Sequence, residues 1–172
     1  SNNEVDDASG SGIYASNAND AQIKNNEIND NGASTYADYG IRVEGGNSVD
    51  VDDNKIEETN IAGILANNTT FIDIDDNLVK DGKKDGILVT NGHHADIRRN
   101  TVQDHADDGI DVQSHGTVDV ENNTVLRSGD VGIRVSDSND ADILNNDVTD
   151  TGSHGIYASN SDDAEINDND VT

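Results

Sequence analysis

The stretch His105-Ala106-Asp107-Asp108-Gly109 carries the densest chemistry in the chain, with Asp85 lying 23 residues before Asp108 and Asp130 and Arg134 following it. Carboxyl groups gathered in this way can act as a general acid and a general base when their surroundings pull their pKa values apart. His105 adds a group that exchanges protons near neutral pH. The candidate catalytic set is therefore Asp85, Asp107, Asp108 and His105, conditional on the protein being an enzyme.

A second set suits recognition. Tyr14, Tyr36, Tyr39 and Tyr157 are all the tyrosines of the chain, and Arg42 and Arg134 fall at positions equivalent to two of them. Aromatic faces and guanidinium forks are suited to stacking on, and hydrogen bonding to, sugar rings. A third set is a file of acids, Asp50, Asp73, Asp96, Asp119 and Asp142, followed by Glu165. Carboxylates stacked at strand spacing repel by nearly 1 kcal/mol per neighbouring pair in unscreened water, at about 4.8 Å. Dense salt or bound cations, with Ca²⁺ the natural candidate, relieve such a file.

What places these residues together is a repeat. Gly-Ile pairs occur at Gly12, Gly40, Gly63, Gly86, Gly109, Gly132 and Gly155, every spacing after the first being 23 residues and the first 28. Repeats of 20 to 50 residues mark solenoids. Counted from each Gly, offset 1 is always Ile, offset 3 is Ala or Val, and offsets 11 and 16 are Ile or Val. Alternation with polar residues predicts three short strands per repeat, at offsets 0 to 4, 9 to 12 and 15 to 18. β-branched residues fill them, as strands prefer.

Offset 14 is Asn in every copy: Asn26, Asn54, Asn77, Asn100, Asn123, Asn146 and Asn169. Asn accepts left-handed backbone, which predicts that this residue makes the corner between strands. Stacked side-chain amides can also bond to one another along the axis, giving an Asn ladder. The pattern resembles the right-handed parallel β-helix family, which includes pectate lyases, polygalacturonases, alginate epimerases and NosD-type proteins. The resemblance covers the whole chain and implies an all-β, right-handed parallel β-helix of about seven 23-residue coils. A leucine-rich repeat is the rival, on the strength of Val118 to Val125, but only five Leu are present and the return limb reads as a strand.

The family likeness also bears on chemistry. Polygalacturonases carry an Asp, then an Asp-Asp pair one coil on, then Gly-His-Gly and Arg-x-Lys. Here Ser128 to Gly132 stand where the His belongs, and Arg134 is followed by Val135 and Ser136. The resemblance implies that the Gly-Ile strands and the loops leading into them form the ligand face. The 28-residue spacing places five extra residues within Asn31 to Gly40, the one irregularity of length.

Composition narrows the remainder. With 36 acids against 10 bases the net charge is −26, which leaves no basic stripe for nucleic acid. Cys is absent, so disulfides and thiolate metal sites are excluded, and no apolar run is long enough to span a membrane. His93, His94 and His115 fall near one edge and form a further possible metal cluster.

The expectation is one β-helix domain over residues 1–172, cut from a longer repeat array. Its expected role is a non-catalytic, extracellular or cell-surface scaffold that displays a cation- or glycan-binding surface and is adapted to high salt, with no organic cofactor. A polysaccharide-active lyase, hydrolase or C5-epimerase module is the alternative, and a segment of a viral or cell-surface fibre is a third. Expected partners are a polysaccharide or cell-surface component, with end-to-end self-association open.

Overall fold

A computed structural model describes residues 1–29, 37–113 and 116–172. Every regular element among them is a strand, and each strand pairs in parallel with its equivalents one repeat away. The strands form three sheets that run the length of the chain, of eight, seven and seven strands. One coil shows the pattern: Asp85–Thr90 lies in the Gly-Ile sheet, His94–Arg98 in the second sheet and Thr101–His105 in the third. This is the expected β-solenoid, and it removes the leucine-rich-repeat alternative.

Strand alternation explains the core. Ile41, Ile64, Ile87, Ile110 and Ile133 of offset 1 are completely buried, as are Val51, Ile74, Ile97, Val120 and Ile143 of offset 11. Burying each such side chain contributes about 1.5–3 kcal/mol. The intervening residues point outward and form continuous rows. The repeat Gly is demanded by packing rather than by backbone angle. A Cβ on Gly86 would stand 2.2 Å from Val102 Cγ1 and 2.6 Å from the Gly109 carbonyl oxygen.

The ladder is present. Asn77 donates from both its backbone N–H and its side-chain Nδ2 to Asn100 Oδ1 at 3.0 Å, and Asn100 does the same to Asn123 at 2.9 and 3.0 Å. From Asn54 onward each Nδ2 also reaches a backbone carbonyl of the preceding coil, as from Asn100 to Ile74 at 2.8 Å. Asn3 adds a rung below Asn26.

The corner geometry differs from expectation. The left-handed residue is the one before the ladder Asn, at offset 13: Asn25, Asp53, Asp76, Arg99, Asn122, Asn145 and Asp168, with φ between 55° and 57°. The ladder Asn turns its side chain inward instead, and its inter-coil hydrogen bonds stabilise the corner. That makes even Arg99 tolerable in the left-handed position, against the usual preference for Asn or Gly.

Candidate functional site

The outward row of the Gly-Ile sheet is Tyr14, Arg42, Leu65, Leu88, Asp111, Arg134 and Tyr157, each paired in register with the next. It places cation–aromatic groups at both ends of the solenoid. Near one end the Arg42 guanidinium lies 5.3 Å from the Tyr14 ring centre and 5.2 Å from that of Tyr39. Glu44 holds this group in place, accepting from Tyr14 Oη at 2.9 Å and from Arg42 Nε at 3.1 Å. At the other end Arg134 lies 5.5 Å from the centre of the Tyr157 ring, which also meets His154 at 5.5 Å between ring centres. A cavity of about 310 Å³ opens there between Asp130, Arg134, Ser153, His154 and Tyr157. Tyr36 lies outside the described residues.

Between the two ends sits the acidic centre. Asp85 and Asp108 occupy equivalent positions immediately before the repeat Gly, and Asp107 precedes Asp108. Carboxylate oxygens of Asp85, Asp107 and Asp108 lie within 4.8 Å of one another. Asp108, only 4% exposed, accepts from Val131 N at 2.9 Å and is clamped by Arg134, which also reaches Asp130 at 3.1 Å. Asp85 accepts the Asp108 backbone N–H at 3.2 Å.

Burial pushes the Asp85 carboxyl up to about 7, against the opposing hydrogen bond from Asp108 N–H, and the charges of Asp107, Asp111 and Asp108 add to the rise. Asp111 rises to about 6, again chiefly through burial, although Gln113 and Arg134 pull it down. The carboxylate of Asp108 lifts the Arg134 guanidinium well above its usual range.

Asp111 and Gln113 were not singled out by the sequence, yet Asp111 belongs to the site. The available signal was the row itself: Asp111 is the single acid in a column otherwise made of Tyr, Arg and Leu. His105 is the converse case. It is 3% exposed and turned into the wall, with Nε2 3.3 Å from the Val79 carbonyl oxygen. Its charged neighbours are Asp81 and Asp104, and burial lowers its pKa. The structure thus brings Asp85, Asp107 and Asp108 together and separates His105 from them, because offset 19 faces the interior at the corner.

The acid file runs unbroken on the second sheet, from Asp50 through Asp73, Asp96 and Asp119 to Asp142 and Glu165. Its bases are concentrated. Lys24 lies 3.6 Å from Asp50 and 3.1 Å from Asp52, while Arg98 lies 2.9 Å from Asp96, 3.0 Å from Asp119 and 3.4 Å from Glu121. Asp75 is taken by Arg99, at 3.1 Å. His94 packs on Phe71 and lies 3.1 Å from Asp96, His93 is exposed, and His115 is outside the described residues. Burial raises the pKa of Asp73, Asp96 and Asp142, and neighbouring acids add to it.

The sequence matches the family described as a right-handed β-helix region, over residues 1–125 and 83–172. A search of curated proteins finds no match. Crystal structures of the periplasmic alginate epimerase AlgG share the architecture. A double mutant of that enzyme superposes with a TM-score of 0.64 at 15% identity, over 98% of this chain and 49% of that one. A single mutant gives 0.64 at 13% identity, over 98% and 49%, and AlgG itself gives 0.52 at 13%, over 95% and 49%. At these identities the likeness shows the fold, and the chain spans about half the length of these structures. No helix of the described residues is long and apolar enough to cross a membrane.

Proposed function

Since the chain belongs to the right-handed β-helix family, we propose that it is a rigid glycan-binding module of an exported protein, with the Gly-Ile sheet as its binding face. The observation that carries this reading is the outward row, in which Tyr14–Arg42 and Arg134–Tyr157 form two aromatic–guanidinium pairs whose tyrosines lie six coil steps apart. At about 4.8 Å per step the span is about 29 Å, a length suited to an extended chain rather than a small molecule. Tyr14 and Tyr157 are 55% and 38% exposed, so each aromatic–guanidinium pair is within reach of a ligand. A periplasmic enzyme of the same architecture, acting on alginate, supports both the export and the class of ligand. The acid file supports a setting rich in salt or cations.

The direct test is a binding titration against neutral and uronate polysaccharides at high ionic strength. Saturable binding to at least one, lost on Tyr14→Ala with Tyr157→Ala, is the expected result. No binding to any of them removes the reading.

A second reading, a polysaccharide-active enzyme, is favoured by one observation. Asp85, which accepts the Asp108 N–H at 3.2 Å and whose carboxyl burial pushes up to about 7, is a group able to exchange a proton at neutral pH. Turnover of a bound polysaccharide that disappears in the Asp85→Asn variant would establish it.

A further inference from the structure

The second sheet carries a group that the glycan reading does not use. His94 and Asp96 stand on one strand, and Asp119 pairs in register with Asp96 from the next coil. One ligand atom from each of the three lies within 4.8 Å of the other two. The imidazole is held in place: Nδ1 lies 2.5 Å from Thr117 Oγ1, and the ring packs against Phe71 at 5.8 Å between ring centres.

One oxygen in this group points to a ligand. Asp96 Oδ1 is buried, stands 3.1 Å from His94 Nε2, and has no hydrogen-bond partner among the described residues. With Nδ1–H donating to Thr117, Nε2 presents a lone pair. A lone pair and a carboxylate oxygen at that distance repel unless a cation lies between them, and a buried oxygen without a donor calls for a missing partner. Arg98 does not supply it. Its Nη1 takes Asp96 Oδ2 at 2.9 Å and its Nη2 takes Asp119 Oδ2 at 3.0 Å. Asp73 and Asp119 flank Asp96 on either side, so the field around the group stays negative despite Arg98.

We infer that His94, Asp96 and Asp119 form a binding site for one borderline transition-metal ion of the Zn²⁺ type. Nitrogen and oxygen ligands sit about 2.0–2.1 Å from Zn²⁺, so two of them at a tetrahedral angle are about 3.3 Å apart. The 3.1 Å between His94 Nε2 and Asp96 Oδ1 fits that edge. An imidazole in the donor set selects Zn²⁺ over Ca²⁺ and Mg²⁺, which take oxygen ligands. Thr117 is a positioning residue, since a metal-bound imidazole is oriented by the acceptor that takes its other N–H. Arg98 steadies both carboxylates through their Oδ2 atoms. The inference does not rest on the glycan reading, because it uses a different sheet.

The test is titration of the chelator-stripped protein with Zn²⁺ and, separately, Co²⁺, in about 1 M KCl, where the screening length is about 3 Å and diffuse attraction to the acid file is suppressed. One saturable site per chain is expected, not displaced by a large excess of Ca²⁺, with bound Co²⁺ showing the visible absorption of a four-coordinate ion. Binding should be lost in His94→Gln and weakened about tenfold in Thr117→Val, which removes only the partner of Nδ1. It should be unchanged in Asp142→Asn, one coil beyond Asp119 in the same file. Melting guards against a folding defect: His94→Gln should match the parent in chelator and lack the rise that Zn²⁺ gives the parent. Absence of saturable binding overturns the inference, as does displacement by Ca²⁺, equal binding in His94→Gln, or equal loss in Asp142→Asn.

Discussion

Arg134 clamps Asp108, whose carboxylate is 4% exposed and receives the Val131 N–H from the next coil at 2.9 Å. The pair ties neighbouring coils together at the Gly-Ile sheet, and the Arg134 guanidinium also lies over the Tyr157 ring. One guanidinium thus neutralises the buried acid and builds the aromatic end of the row.

Replacing Arg134 with Gln leaves Asp108 buried without its counter-charge. The expected loss is about 1.5–3 kcal/mol of unfolding free energy, the range for a hydrogen bond to a charged group. Adding Asp108→Asn should restore part of it. Urea unfolding of the three variants checks this, and strict additivity of the two changes would count against a direct coupling.

Asn100→Ala removes the acceptor for two Asn77 donors and the donor to Ile74. A loss of about 2–4 kcal/mol is expected from the buried groups left unpaired. The exposed Asn139 replaced by Ala should change stability by less than about 0.5 kcal/mol. Equal losses at both positions contradict the ladder as a source of stability.

Protonation of Asp85 and Asp111 gives a pH dependence of definite sign. In the folded chain their pKa values, about 7 and about 6, lie above the 3.8 expected of the unfolded chain. The folded state binds more protons in that window, so in chelator stability is greatest below it and falls as pH rises from about 4 through about 7. Glu27, Glu44, Glu57 and Asp104 have lowered values and act oppositely, withdrawing stability as pH drops below their usual range near 4. Melting temperature against pH should peak near pH 5, and Asp85→Asn should flatten the alkaline side. A parent curve that climbs steadily to pH 8 contradicts the assignment.

The acid file makes stability depend on salt. Between 0.1 M and 1 M the screening length drops from about 10 Å to about 3 Å, below the spacing of the stacked carboxylates. Melting temperature should rise over that interval at pH 8, and less so when Asp73 and Asp142 are both replaced by Asn. A flat response removes the screening account.

The repeat and the ladder could be read from the sequence because both are columns: a single residue type at one offset records a packing or hydrogen-bonding demand met in every coil. What escaped was set by direction within a coil. The left-handed position varies among Asn, Asp and Arg, since the neighbouring ladder Asn stabilises the corner whatever precedes it. Arg98 reaches Asp96 and Asp119 as well as Glu121 and leaves Asp75 to Arg99, a choice among four stacked acids that its column does not record. His105 stands two residues from Asp107 yet is buried against the Val79 carbonyl, while Asp107 is only half-buried. Asp111 was hidden among 36 acids, and only its row set it apart.

The proposed role of the Gly-Ile sheet is to bind an extended glycan without transforming it. The most direct measurement is to incubate the protein with neutral and uronate polysaccharides in high salt, with and without Ca²⁺, following affinity and product release together. The account predicts saturable binding that falls at least tenfold in the Tyr14→Ala/Tyr157→Ala variant, with the polysaccharide recovered unchanged. Cleavage or epimerisation, or binding indifferent to both tyrosines, would contradict it.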